Sequence, residues 1–215
     1  MATTEHFNLQ TARVGTISEA NGRASIYLAA VSSTLIALAF IGQMSRLGAA
    51  FYAFSLILLP VLAFVGFVTF QRLVQSSMED VAYAQRIARL RNLYVALAPE
   101  LEPYLVVSRT RPPESLLNGG LFARGEWQVT RTTAGMVAVV NSGVIGVSAG
   151  LALAALPGVS LAVALAVGAV VGASALWGHC SQQRRAGAAY ELEGIDRYAT
   201  LAAEAQATRR ATRGS

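Results

Sequence analysis

The chain contains no lysine, a single cysteine and two histidines, and only 13% of its 215 residues are charged. Each shortage excludes something. Without lysine there is no glycine-rich phosphate loop of the kind that closes on a Lys-Ser/Thr pair. Cys180 alone cannot build an internal disulfide framework or a cysteine-based zinc cage. His6 lies in a polar lead, and His179 stands beside Cys180 at the end of an apolar run. A His-Cys dipeptide does not by itself set a base and a nucleophile in register. Glu79 and Asp80 are neighbours in sequence, so on a helix they point about 100° apart and read as a solvated face rather than a metal pair. The residues therefore predict a protein that is not an enzyme, with no metal site and no cofactor.

The scarce charge is also unevenly placed. No Asp, Glu or Arg occurs between Arg46 and Arg72, or between Arg131 and Arg184. A charge at the centre of a bilayer costs roughly 2.5–3.5 kcal/mol on insertion scales, and gaps of this kind meet that constraint. With 54% hydrophobic residues and a mean hydropathy of +0.47, the chain reads as an all-α membrane protein with four transmembrane helices in two hairpins. About 20 apolar residues are needed to cross. The runs that qualify are residues 24–44, 49–70, 133–156 and 159–180. The first follows a long lead of mixed charge, Glu5, Arg13, Glu19 and Arg23, which marks a retained span rather than a cleaved leader. Pro60 removes one backbone donor inside the second span and predicts a kink there.

Sixteen of the seventeen arginines fall before the first span, between the second and third, and after the fourth; the remaining one is Arg46, in a short turn. By the positive-inside rule this places both termini and the centre in the cytoplasm of a bacterial inner membrane, the lipid bilayer being the primary partner. The same rule accounts for the net charge of +5 without nucleic-acid binding, and none is expected. The resulting division is a cytoplasmic lead (1–23), a first hairpin (24–70), a cytoplasmic stalk and loop (71–132), a second hairpin (133–180) and a cytoplasmic C-terminal helix with a disordered tail from residue 207 (181–215).

Beyond the second span, Tyr83, Ile87, Leu90, Tyr94 and Leu97 recur at spacings of four and three, an apolar seam suited to a partner helix. Pro99 and Pro103 end this stalk, which would reach roughly 40 Å from the membrane. Tyr190, Ile195, Tyr198, Leu201 and Ala205 form a weaker seam after the fourth span. The two stalks are expected to pack together or with further copies of themselves. Between them, residues 104–107 are β-prone, Asn118-Gly-Gly120 is a turn, and Leu121, Phe122 and Trp127 are expected on the stalk or at the membrane interface.

The second hairpin is rich in small residues. Gly146 and Gly150, and Gly168 and Gly172, are two GxxxG pairs that let helix backbones approach closely. Their simplest use is to pack the hairpin against itself, with packing between subunits the second choice. Asn141 and Ser142 form the most polar step in the spans. They are expected either to make an interhelical hydrogen bond or, in an oligomer, to line a pore. No span carries a carboxylate, which argues against a proton-coupled transporter.

Arg86, Arg89, Arg91, Arg109 and Arg111 are the candidate ligand-binding residues. Arginines so placed usually are solvated, pair with acids or rest near anionic lipid. Guanidinium forks also match phosphate oxygens, so a small nucleotide bridging the stalks is the sharper expectation. Glu19-Ala-Asn-Gly-Arg23, two close spans, Gln71-Arg-Leu-Val-Gln75, Glu79-Asp80, Tyr83 and Arg86-Ile-Ala-Arg-Leu-Arg91 together resemble the small four-span effectors of nucleotide-signalling antiphage systems of the Pycsar and CBASS kinds. The resemblance covers residues 19–105. It implies a homo-oligomer that senses a nucleotide made by a partner enzyme and permeabilises the inner membrane. A scaffold that recruits a cytosolic partner without forming a pore is the other expectation.

Overall fold

The computed structural model describes residues 2–98, 100 and 132–213, with backbone alone for Ala2, Asn92, Ala96 and residues 189–213. Four helices account for nearly all of them: α1 (Ala2–Met44), α2 (Ala49–Leu97), α3 (Thr133–Ala154) and α4 (Leu161–Arg213). All four are long and apolar enough to cross a membrane. No strand occurs among the described residues.

The hairpin turns follow local chemistry. After α1, the Leu47 N–H donates to the Gly42 carbonyl (2.9 Å) and the Gly48 N–H to Ser45 (2.9 Å). Arg46 and Leu47 adopt φ of 51° and 58°, a left-handed conformation that is unfavourable for residues with a Cβ. Gly42 makes this turn compact, because a Cβ there would meet Leu47 Cδ2 at 3.2 Å and the Phe51 ring at 3.4 Å. The second turn uses Pro157 and Gly158, whose φ of 83° suits glycine. α2 continues as a helix through Pro60.

α2 is central, packing on both α1 and α3, while α4 packs chiefly on α3. Among the described residues α1 and α4 share no extensive interface, so these four helices leave one side of the bundle open. Tyr27, Leu59, Phe70, Leu73 and Val137 form the buried centre. Large apolar side chains such as Ile26, Ile36, Ile57, Phe64, Leu165 and Trp177 cover the outside, the arrangement expected of a surface solvated by lipid.

Two expectations are corrected here, those for Asp80 and for the tail, and the lead gains a place in the fold that the sequence did not give it. The lead does not stand apart from the first span: α1 is one helix from Ala2, and its register against α2 holds from the hairpin turn outward, through Tyr27 beside Gly66 to Arg13 beside Asp80. The described partner of the α2 stalk is therefore the lead of α1. Asp80, expected on a solvated face, instead turns inward to Arg13, its side chain only 15% exposed. The tail is not disordered from residue 207; α4 runs to Arg213, because the segment has no proline, and its many alanines have the highest helix propensity.

Candidate functional site

Two layers of polar contact tie the helices together, one where they leave the apolar region and one within it. In the outer layer, Thr133 Oγ1 donates to Asn21 Oδ1 (3.3 Å), Gln183 Nε2 donates to Thr132 Oγ1 (3.1 Å) and Gln182 Nε2 donates to Gln71 Oε1 (2.7 Å). Thr132 also caps α3 by accepting from the Gly135 N–H (3.0 Å). These contacts sit at one end of all four expected spans and bring those ends to one level. The lead, the centre and the start of the C-terminal helix thus leave the bundle from the same end.

The inner layer is built around Asn141, which is fully buried. With its amide oriented to satisfy every polar atom, Asn141 Nδ2 donates to the Ala63 carbonyl (3.1 Å) and to the Tyr27 hydroxyl (3.0 Å), and its Oδ1 accepts from the Phe67 N–H (3.2 Å). Ala63 and Phe67 are one helical turn apart, so a side chain of α3 inserts beside a backbone hydrogen bond of α2 while holding α1. Gly66 makes the insertion possible: a Cβ there would collide with the Asn141 amide and the Tyr27 hydroxyl. Ser142, also buried, donates to the Ala138 carbonyl (2.7 Å) and lies 3.5 Å from His179 Nδ1. That nitrogen is 2.7 Å from the Ala175 carbonyl, which identifies it as the protonated one. The imidazole packs edge-on against Phe70, with ring centres 4.6 Å apart. His179 Nε2 and Gln183 Oε1 are buried with no hydrogen-bond partner among the described residues.

The four hairpin glycines face one another inside the chain. A Cβ on Gly146 would stand 2.7 Å from the Gly168 carbonyl oxygen, and one on Gly168 would stand 2.8 Å from that of Gly146. Gly150 approaches the Ala164 carbonyl and Gly172 that of Ser142, each at 3.1 Å. Beside this seam an apolar groove of about 450 Å³ runs between α3 and α4.

The candidate arginines are dispersed. Arg86 is exposed, its guanidinium 5.7 Å from the centre of the Tyr83 ring, a cation–π contact. Arg89 is half-buried one turn further along, and helical spacing turns Arg91 to another side. Arg109 and Arg111 lie outside the described residues, as do the β-prone 104–107 segment, the turn at Asn118, and Trp127. Of the α2 seam, Ile87 is buried, Tyr83, Leu90 and Tyr94 are half-buried, and Leu97 is exposed. Arg13, by contrast, does join two helices: Nε donates to Asp80 Oδ1 (2.7 Å) and Nη2 to Oδ2 (3.3 Å). The hydrogen bond that Arg13 donates to Asp80 raises the Arg13 pKa above its ordinary value, and burial opposes the rise. Its only sequence signal was an acid on the stalk and a base on the lead. Tyr27 and Gly66 also escaped the sequence reading, since a Tyr and a Gly in apolar runs are unremarkable until the helices are paired.

Among the described residues no three His, Cys, Asp or Glu side chains gather as metal ligands would. The four apolar helices are compatible with a multi-pass membrane protein. No family model, curated protein or solved structure matches the chain.

Proposed function

We propose that this protein is a non-enzymatic, oligomeric inner-membrane effector that opens or disrupts the bilayer when a cytosolic signal, a small nucleotide, engages its arginine-bearing stalk. One observation carries the reading: α1 and α2 run as single helices from the stalk into the spans in unbroken register. A ligand that shifts one stalk helix against the other therefore shifts the Tyr27–Asn141 layer with it. The open side of the bundle, where α1 and α4 do not pack, supplies a lateral face for neighbouring copies. Arg86, exposed on the stalk, and Arg89 one turn on are the first residues a phosphate would meet.

The test combines reconstitution and mutation. Purified protein in dye-loaded liposomes should release dye when cyclic nucleotides are added, and Arg86→Ala and Arg89→Ala should abolish release while still inserting. Release unchanged in both variants would remove the sensing role.

The scaffold reading is favoured by a different observation. Asn141 and Ser142 are both buried within one chain, and the exposed Ser32, Ser33 and Ser174 bond their own helix carbonyls. No dye release at any nucleotide or protein density would favour it.

A further inference from the structure

The lead of α1 carries a second face that the fold leaves uncovered. Phe7 and Val14 are 70% and 65% exposed, and Ile17 is 43% exposed. With Thr3, Gln10 and Asn21 they follow alternate spacings of four and three along one stripe, displaced by about a quarter turn from the seam facing α2. Exposed apolar residues in the spans are expected to face lipid, but these lie beyond the polar layer at Asn21 and before the apolar run that starts at residue 24. A concavity of about 520 Å³ borders them, lined by Thr3, His6, Phe7, Gln10, Thr11 and Val14.

We propose that the stripe is the docking face for the chain's own connecting segment, residues 101–131. The ends of that segment carry the argument. It departs from the end of α2, where the Ala98 N–H bonds Tyr94 and the Tyr94 ring lies 6.1 Å from His6. It rejoins the fold at Thr132 and Thr133, where Thr133 bonds Asn21. His6 flanks the upper end of the stripe, and Asn21 is its lowest member. Rise along a helix puts these two levels about 22 Å apart, and a segment of this length could extend to roughly 100 Å. The segment begins and ends on this one face with chain to spare, and it carries Leu116, Leu117, Leu121, Phe122 and Trp127 to set against Phe7, Val14 and Ile17. Docking there would also hold Arg109 and Arg111 against the stalk.

Limited trypsinolysis of the full-length protein, in nanodiscs holding one chain each, provides the test. Phe7→Ser, Val14→Ser and Ile17→Ser together should speed cleavage after Arg109 and Arg124 by about tenfold or more, since cleavage tracks the undocked population, and leave cleavage after Arg209 unchanged. No acceleration overturns the proposal. Protection that appears only with two chains per disc assigns the face to a second copy, and protection lost on truncation after Ala188 assigns it to the end of α4; either result also overturns it. Because the triple variant could misfold, a second measurement uses a nitroxide on Ser18→Cys in a Cys180→Ala, Trp177→Phe background. It should quench Trp127 at least about twofold more than one on Glu19→Cys, which points away from the stripe; equal quenching would refute docking.

Discussion

At the scale of single residues, this protein depends on a few polar atoms held where water cannot reach. Asn141 satisfies three partners on two helices, and its loss would leave the Tyr27 hydroxyl unpaired. Interhelical hydrogen bonds in membranes average about 0.6 kcal/mol, whereas stranding a buried polar group costs about 1–3 kcal/mol. Tyr27→Phe should therefore destabilise by about 0.6 kcal/mol and Asn141→Ala by about 1–2 kcal/mol, read from unfolding in mixed micelles. Gly66→Ala should cost more than either, because its methyl occupies the space of the Asn141 amide. Combining it with Asn141→Ala should recover part of the loss. Additive penalties would show that the glycine is not there for the asparagine.

At the scale of helices, two interfaces use opposite means. The α3–α4 seam is made of backbone contact, so size decides it: Gly146→Val or Gly168→Val must push the helices apart, since the atoms met are carbonyl oxygens that cannot rotate away. Each should lower thermal stability by at least about 2 kcal/mol and weaken a disulfide trap placed across the hairpin. The outer part of the α1–α2 pair uses charge. Arg13 and Asp80 are partly exposed, so breaking the pair should cost about 0.5–1 kcal/mol, and exchanging the two residues should restore most of it. The raised Arg13 pKa adds stability that is fully present below the ordinary arginine value and is lost only as pH rises through the folded one. The guanidinium should therefore stay charged, and this end of the pair intact, through the neutral range; spin labels at Thr16 and Ser77 that separate as Arg13 loses its proton near neutral pH would contradict this.

At the scale of the whole molecule, the outer polar layer aligns the exits of all four spans. Cysteines at Ser18, Gln85 and Arg185 should react with an impermeant maleimide from one side of the membrane, and a cysteine at Arg46 from the other. From the arginine distribution, the first side is expected to be the cytoplasm. Labelling of Arg185 and Ser18 from opposite sides would break the two-hairpin topology.

Composition and periodicity were enough to determine the four apolar spans and the hairpin turns, and they marked the glycines that come to close approach. Exclusion of charge from lipid and the backbone's need for internal hydrogen bonds leave a long apolar run few alternatives. The spacing of Gly146, Gly150, Gly168 and Gly172 is likewise a local property of two helices joined by a tight turn. Only the tertiary structure decided that the lead is the partner of the stalk, that Arg13 meets Asp80, and that Tyr27, Gly66 and Asn141 share one point. These depend on the register between helices far apart in sequence. Register is set by many weak contacts along whole interfaces, and no single residue announces it.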